Sequence, residues 1–100
     1  MRVVYHPDAE AELTEAALYY DQRVPGLGDS FLRAFESALA EIEKQPQWWP
    51  IVESDLRYRS LRRFPYAVYY RIVDDELRIL VVEHHKRHPD YWRYRLRDER

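Results

Sequence analysis

The sequence has 100 residues, 46% of them hydrophobic and 15% aromatic, with a net charge of −2; this predicts one folded domain over residues 1–100 and excludes disorder. Cysteine is absent, which excludes a disulfide scaffold and a thiolate metal site and is typical of the reducing cytoplasm. No apolar run approaches the ~18 residues of a membrane span and no signal peptide is visible, so we expect a cytoplasmic protein without a membrane partner.

The chain opens with a predicted short strand, Arg2–Tyr5, followed by an amphipathic helix. Pro7 is well placed at the first helical position, and acidic residues follow it in the first turn, where the helix dipole favours them. The helix should end near Arg23, because Val24–Gly28 contains strong helix breakers. Its apolar residues recur at helical spacing: Ala9, Leu13, Ala16, Ala17 and Tyr20.

A second helix is predicted from a cap at Asp29 or Ser30 to about Lys44. Its apolar stripe consists of Phe31, Ala34, Phe35, Ala38, Leu39 and Ile42. Two such helices joined by a short loop form a hairpin with one shared apolar side, which the rest of the chain must bury. Pro46–Pro50 is then expected to be an irregular crossing segment, with its two tryptophans closing the core.

The second half predicts an antiparallel meander of three strands, at about Leu56–Arg63, Tyr66–Val73 and Glu76–His84. Asp74–Asp75 is the natural tight turn between the last two strands. A short helix should follow from about Pro89. The predicted fold class is therefore α+β, in the order β-α-α-β-β-β with a short C-terminal helix, and with the helical hairpin on one face of the sheet.

A two-residue turn at Asp74–Asp75 fixes the pairing of the last two strands. On the core side, the facing pairs would be Ile72 with Leu77, Tyr70 with Ile79 and Val68 with Val81. On the opposite side, they would be Arg71 with Arg78, Tyr69 with Leu80 and Ala67 with Val82. A longer turn would change these partners, and a one-residue slip would exchange the faces of one strand.

The charges of the chain are unevenly distributed. Residues 1–55 have four basic against eleven acidic side chains, whereas residues 56–100 have twelve basic against seven acidic ones. Arginines that face each other across strands repel, so we expect one sheet surface of arginine and tyrosine that an acidic partner covers. Neutralisation by nearby Asp and Glu side chains is the alternative. The candidate binding residues here are Arg57, Arg59, Arg63, Tyr69, Arg71 and Arg78.

The segment after the last strand adds candidates for binding, namely His84, His85, Tyr91 and Trp92. A histidine there could act in acid–base chemistry beside Lys86 and Arg87, although the sequence places no nucleophile beside a base. We expect no metal or cofactor, because no three ligands converge. Trp92 and Leu96 either pack back on the domain or form part of a basic helix that grips a partner.

Several motifs in this order resemble the RelE/ParE superfamily of bacterial toxins. They are Tyr5–Ala9, Val24–Gly28, Leu61–Arg71, Asp74–Asp75 and His84–Trp92, and they extend over nearly the whole chain. The resemblance implies a toxin that forms a hetero-oligomer with a cognate antitoxin, whose extended tail wraps around it. RelE-like members cleave messenger RNA on the ribosome without a metal, whereas ParE-like members inhibit DNA gyrase and need no catalytic residues.

The resemblance favours the ParE-like branch. The ribonuclease branch has Tyr-Arg-x-x-Tyr on the middle strand, and Ala67 stands at the arginine position here. Alanine cannot stabilise a developing anion. If the chain were instead RelE-like, its catalytic residues would be Arg63, Arg71, Lys86, Arg87 and Tyr91. An inactive module that only binds its antitoxin is the third hypothesis.

Overall fold

In a computed structural model, which describes residues 1–87 and 90–98, these residues form five strands and three helices. The elements are β1 (Arg2–Tyr5), α1 (Pro7–Arg23), α2 (Leu27–Lys44), β2 (Ile51–Glu53), β3 (Leu56–Ser60), β4 (Tyr66–Val73), β5 (Glu76–His84) and α3 (Arg95–Asp98). The predicted α+β class and element order are confirmed, and the bounds of β4 and β5 agree with the prediction. Within the described residues, none of the three helices is both long and apolar enough to cross a membrane.

The five strands form one sheet in the order β1-β5-β4-β3-β2. β1 pairs with β5 in parallel, with Arg2 beside Glu76 and Tyr5 beside Ile79, and all other neighbours are antiparallel. The short edge strand β2 was not predicted. It forms a hairpin with β3, and Ser54, with φ of 51°, lies in the turn between them.

The start of α1 follows from its first residues. The Nδ1 atom of His6 accepts a hydrogen bond of 3.0 Å from the backbone N–H of Asp8, which satisfies one of the free donors of the first turn. Pro7 lacks an N–H and so loses nothing at the first helical position. Together these residues fix where the chain turns from β1 into the helix.

Helix α2 begins at Leu27, earlier than the predicted cap at Asp29 or Ser30. The cap comes from the preceding helix instead, because Asp21 Oδ1 accepts a hydrogen bond of 3.2 Å from the backbone N–H of Gly28 in the first turn of α2, as well as one of 3.0 Å from that of Gly26. Gly26 has φ of 88°, which glycine adopts without steric cost. The sequence prediction missed this cap because the acceptor lies in α1 and not beside α2.

The two helices pack on one face of the sheet, which we call the helix-side face. They approach so closely that a Cβ atom on Gly28 would lie 2.5 Å from the carbonyl oxygen of Ala17. The predicted apolar stripes of both helices belong to this core, in which Ala9, Phe31, Phe35, Ile42, Val68, Tyr70, Leu77 and Ile79 are almost fully buried. Trp49 packs against it as expected, whereas Trp48 is 71% exposed.

The predicted strand register is correct as far as Tyr70 opposite Ile79, with Arg71 opposite Arg78. Beyond that point the register shifts, so that Tyr69 faces Val81, and Val68 and Ala67 face Val82 and Glu83. The predicted pairs of Val68 with Val81, Tyr69 with Leu80 and Ala67 with Val82 are therefore wrong. The cause is a β-bulge at Leu80, which places one extra residue in β5 and turns two consecutive side chains to the same side.

The other face of the sheet, which we call the second face, holds a smaller core. Leu56, Leu80, Val81 and Trp92 form a buried cluster there, against which Tyr69, Tyr91 and Leu96 pack. The expectation that this face is open to a partner is wrong, because the chain after residue 90 covers it. The predicted alternative, in which Trp92 and Leu96 pack back on the domain, is confirmed. Helix α3 starts only at Arg95, and the predicted helix start at Pro89 lies outside the described residues.

Candidate functional site

The strand arginines do not share one surface, contrary to the sequence expectation. Arg57 and Arg59 face the helix side, because they lie opposite the core residues of β4. Arg71 and Arg78 lie opposite each other on the second face. Arg63 lies outside the strands, in the turn between β3 and β4. Side chains alternate between the two faces of a strand, and the offset between β3 and β4 puts their arginines on different faces.

The helix-side arginines hold the crossing segment in place. Arg57 Nη1 donates hydrogen bonds to the carbonyl oxygens of Gln47, at 3.0 Å, and Trp49, at 2.7 Å. The guanidinium of Arg59 lies 4.5 Å from the centre of the Trp49 ring and forms an ion pair with Glu41. The side chain of Arg59 is only 10% exposed. Both arginines therefore have internal structural roles.

The facing arginines of the second face are neutralised within the chain. Arg71 lies 3.0 Å from a carboxylate oxygen of Asp55, and Arg78 lies 3.1 Å from one of Glu76. These two carboxylates offset the repulsion expected between arginines at facing positions. For this pair of arginines, the structure therefore confirms the predicted alternative of neutralisation by nearby acidic side chains.

Tyr69 and Trp92 are parts of the packed second face. The Tyr69 hydroxyl donates a hydrogen bond of 2.8 Å to Glu83, and its ring lies 5.2 Å from Trp92 and 5.9 Å from Tyr58. Burial, followed by the hydrogen bond to the Glu83 carboxylate, raises the pKa of Tyr69 well above its ordinary value. Trp92 itself is 3% exposed. A partner could reach the Trp92 ring only after the C-terminal segment had moved, whereas the Tyr69 ring is partly exposed.

The C-terminal segment is fastened to α1 by a buried ion pair. Glu12 accepts hydrogen bonds from Arg95, at 2.8 and 2.9 Å, and from the hydroxyl of Tyr91, at 2.7 Å. The side chains of Arg95 and Glu12 are 4% and 15% exposed. Burial and the bond to Glu12 raise the pKa of Tyr91. We call Glu12, Tyr91, Trp92 and Arg95 the C-terminal clamp.

The clamp also closes the edge of the sheet. β1 ends at Tyr5 beside Ile79, so β5 has no strand neighbour on that side beyond this point. The backbone N–H of Val82 donates instead to Glu12, at 2.9 Å, and the carbonyl oxygen of Leu80 accepts from Arg95, at 3.0 Å. These side chains satisfy backbone groups that a sheet edge would otherwise leave unpaired.

Sequence reasoning missed both ends of this ion pair. Neither Glu12 nor Arg95 was singled out as a candidate. The available signal is the spacing of Trp92 and Arg95, since residues three apart lie on the same side of a helical turn. Nothing in the spacing of the sequence indicates that the partner is Glu12.

A first concavity, of about 220 Å³, gathers several residues of the predicted histidine segment. His84, Arg87 and Tyr91 line it together with Tyr66 and acidic residues of α1. The Arg87 guanidinium lies 4.2 Å from the centre of the Tyr91 ring, and the His84 ring meets Tyr66 edge-on at 5.1 Å. The Tyr91 hydroxyl already donates its proton in a hydrogen bond to Glu12, so this proton is not free for donation to a substrate.

The remaining candidates of this segment lie outside that concavity. His85 and Lys86 are exposed, and the backbone N–H of Lys86 donates to His84 Nδ1 at 3.0 Å. Arg63 and Arg71 are not among its lining residues either. The residues proposed for a RelE-like site are therefore not gathered at one place. Within residues 1–87 and 90–98, no three His, Asp or Glu side chains cluster as metal ligands.

A second, larger concavity of about 460 Å³ lies between α2 and the turn from β3 to β4. We call it the α2 groove. Its principal lining residues are Arg33, Ala34, Ser37, Arg62, Arg63 and Phe64. The small side chains of α2 leave the space open, and arginines stand on both walls. Of the candidate arginines from the sequence, Arg63 and Arg59 line this groove.

Comparison with known proteins gives a consistent result. The family model described as the ParE toxin of the type II toxin–antitoxin system parDE matches residues 3–89. Two relatives named Toxin ParE2, from the Mycobacterium tuberculosis strains CDC 1551 / Oshkosh and ATCC 25618 / H37Rv, are each 31% identical over 90 residues, which is 89% of this chain and 86% of the relative. A solved structure described as the chromosomal ParDE TA system from P. aeruginosa aligns with a TM-score of 0.62 and 19% identity, over 84% of this chain and 95% of that one.

Proposed function

The chain belongs to the ParE toxin family of type II toxin–antitoxin systems, and we propose that it acts in the cytoplasm by inhibiting DNA gyrase or a related topoisomerase until a cognate antitoxin neutralises it. In this proposal the protein acts by binding and catalyses no reaction of its own. Toxin and antitoxin form a hetero-oligomer in which an acidic, extended antitoxin segment lies on the basic second half of the toxin.

One observation carries the choice of a non-catalytic toxin. A ribonuclease site would need its cations and its tyrosine around a single phosphate. Here Arg63 lies in the α2 groove and Arg71 pairs with Asp55 on the second face. Tyr91 lies in the C-terminal clamp. The position that resembles the cleft arginine of RelE-like toxins is Ala67, which is 3% exposed.

The accessible residues are the first contacts in this proposal. Among the sequence candidates, Arg63 and His85 are exposed and His84 is half-buried. Arg57, Arg59, Arg71 and Arg78, together with Tyr69, Tyr91 and Trp92, would contribute by supporting these contacts. Tyr69, Arg71, Arg78 and Trp92 would touch a partner directly only if the second face were uncovered, whereas Arg57 and Arg59 lie on the helix-side face.

The test is a pair of assays on purified toxin. Gyrase supercoiling of relaxed plasmid should stop at stoichiometric toxin, and toxin premixed with its antitoxin should leave supercoiling intact. Primer extension on a translated message should reveal no new cuts. Undiminished supercoiling at stoichiometric, folded toxin would contradict the proposal.

A RelE-like ribosome-dependent endoribonuclease is the second candidate, because His84, Arg87 and Tyr91 line the same concavity. In that case cuts in the translated messenger RNA would appear at codon-defined positions. They would vanish in the double variant Tyr91→Phe, Arg87→Ala, whereas Lys86→Ala alone would reduce them. Normal growth on induction of a folded toxin without antitoxin would instead favour a module that only binds.

A further inference from the structure

Two loops lie together at the end of the sheet where β3 ends, β4 begins and β5 ends. Tyr66 and His84 are strand partners at this end, and the backbone N–H of His85 donates a hydrogen bond of 2.8 Å to the carbonyl oxygen of Pro65. This bond joins the turn between β3 and β4 to the chain that follows β5. The exposed basic side chains of the two loops form what we call the basic ridge, namely Arg62, Arg63, His85, Lys86 and Arg87.

The ridge holds cations for which the chain provides no counter-charge. Arg63, Lys86 and Arg87 form no ion pair with any residue in the ranges 1–87 and 90–98. Arg62 is 78% exposed and reaches Glu41 only at 3.4 Å. Neither loop, residues 61–65 or 84–87, contains an aspartate or a glutamate. Such a concentration of unpaired cations is typical of a surface that contacts an anionic partner.

The backbone at Arg63 supports a binding role for this residue. Its φ is 72°, in the left-handed region that glycine occupies freely and that other residues enter at a cost. Asp74 and Asp75, by comparison, have positive φ values because the tight turn between β4 and β5 requires them. A long cationic side chain at a strained and exposed position is typical of a site kept for contact rather than for stability.

The carboxylates that share a concavity with ridge residues all belong to the helices, and they are Glu12, Glu15 and Glu41. Glu12 already accepts hydrogen bonds from Arg95, and Glu41 is shared by two arginines. Glu15 forms no ion pair with Arg87, although both line the smaller concavity. Residues 1–55, which contain both long helices, have eleven acidic against four basic side chains. A polyanion would therefore be repelled by the helices and attracted by the ridge.

The aromatic rings beside the ridge provide no stacking platform. Phe64 is 9% exposed and belongs to the core, and the half-buried Tyr66 ring packs edge-on against His84. The Arg87 guanidinium lies over the Tyr91 ring, 4.2 Å from its centre. Single-stranded RNA is bound through bases that stack on exposed rings, whereas the backbone of a duplex needs only cations beside its phosphates. The ridge is therefore suited to duplex DNA.

We propose that the basic ridge binds the sugar–phosphate backbone of duplex DNA, so that the toxin contacts the DNA held by gyrase as well as the gyrase protein. This inference rests on the proposed function, which places the toxin beside a gyrase-bound duplex. Arg63, Lys86 and Arg87 are the principal contacts, because they have no internal partner among the described residues. Phosphate contacts of this kind position a protein on DNA without reading the base sequence.

The first experiment measures the binding of folded toxin, without antitoxin, to a fluorescently labelled DNA duplex over a range of salt concentrations. If three phosphates are neutralised, the logarithm of the association constant should fall with the logarithm of the salt concentration with a slope of about −2.7. Arg63→Gln, Lys86→Gln and Arg87→Gln should each weaken binding about threefold and reduce this slope by about 0.9. Arg2→Gln makes the same charge change at the opposite end of the sheet, beside Glu76 at the start of β5, and should leave both quantities unchanged.

Arg63→Gly separates binding from folding. Glycine relieves the backbone strain, so the variant should unfold at a higher temperature than the wild type while it binds the duplex as weakly as Arg63→Gln. A purely structural role for Arg63 would move both quantities in the same direction. Wild-type affinity in Arg63→Gly would exclude this residue from the DNA contact.

The second experiment tests the ridge in the assembled gyrase–DNA complex. Inhibition of supercoiling should require about tenfold or more of the triple variant Arg63→Gln, Lys86→Gln, Arg87→Gln than of the wild-type toxin, because three phosphate contacts are lost. Thermal unfolding checks that the triple variant is folded, and Arg2→Gln serves again as the control.

The inference and the proposed function fail separately in these experiments. Wild-type toxin that inhibits supercoiling but binds no duplex, or a triple variant as inhibitory as the wild type, would overturn the inference and leave the proposed function standing. Ridge-dependent duplex binding without any inhibition of supercoiling would refute the proposed function, while the ridge would still be a surface for duplex DNA. Tighter, ridge-dependent binding to single-stranded RNA than to duplex DNA at the same salt concentration would overturn the choice of DNA.

Discussion

Arg95 and Arg63 represent two regions of this molecule with opposite electrostatic designs. In the C-terminal clamp, Arg95 is buried and has its hydrogen bonds satisfied by Glu12 and by a backbone carbonyl. In the α2 groove, Arg63 is exposed, strained and without a partner among the described residues. Arginine content alone therefore does not locate a binding surface in this chain. The distinguishing property is whether each guanidinium already has a counter-charge.

The largest expected effect comes from breaking the clamp. Arg95→Ala leaves the buried Glu12 carboxylate without its cation, and removing one partner of a buried ion pair costs about 3–5 kcal/mol. Arg93→Ala is the matched control, because Arg93 is 51% exposed and pairs with Glu53 and Asp90; its cost should be at most about 1 kcal/mol. Urea denaturation gives both free energies of unfolding, and equal losses would refute the contrast.

A second effect follows from the buried tyrosines, none of which lines the α2 groove. Burial raises the pKa of Tyr70 from 10.0 to about 12, and the pKa of Tyr69 and of Tyr91 is also raised. The folded state then holds protons that the unfolded chain releases above pH 10, so stability falls as pH rises through this window. The loss should be on the order of 2 kcal/mol for Tyr70 alone.

The Tyr70→Phe variant checks this assignment. It removes the hydrogen bond of 2.6 Å to the carbonyl oxygen of Pro46, which should lower stability by about 1 kcal/mol at neutral pH. Above pH 10 its stability should fall less steeply than that of the wild type, as measured by urea titration at each pH. Parallel curves for the two proteins would exclude Tyr70 as a source of the pH dependence.

A smaller effect sharpens the comparison inside the α2 groove itself. Arg59 is nearly buried over Trp49, whereas Arg62 is 78% exposed and reaches Glu41 only at 3.4 Å. Arg59→Ala should cost about 1–2 kcal/mol, and Arg62→Ala less than about 0.5 kcal/mol. Thermal unfolding of the two variants distinguishes the arginine that supports the groove from the one that only borders it.

The smallest expected change in stability is at Arg33. Its long hydrogen bond to Ser30 should contribute little, so Arg33→Ala should alter the free energy of unfolding by less than about 0.5 kcal/mol. A loss comparable with that of Arg59→Ala would mean that Arg33 supports the fold, and the division between satisfied and unsatisfied arginines would fail.

The parts of the fold that local patterns determine were predictable. The two-residue turn at Asp74–Asp75 follows from residues that tolerate positive φ, and both have it, at 49° and 62°. The bulge at Leu80 was not predictable, because Ile79–Val82 are all apolar. In such a run no alternation marks which residue faces which side, so a shift of one position leaves the pattern unchanged.

The candidate site was predicted less well because its geometry depends on distant residues. The sequence places arginines on strands, but it does not reveal that α1 contributes Glu12 to satisfy Arg95, 83 positions later. Nor does it reveal that Trp92 covers the face on which the arginines were expected to be exposed. Arg63 was chosen as a candidate for its charge, and only the folded structure places it in a groove beside Arg33.

The parallel pairing of β1 with β5 has a consequence for biosynthesis. The ribosome synthesises Arg2–Tyr5 first, yet the strand that pairs with these residues begins at Glu76. Until then the first strand has no hydrogen-bonded neighbour in the sheet, and such long-range closure is intrinsically slow. The five-stranded sheet can therefore be completed only after β5 has been synthesised.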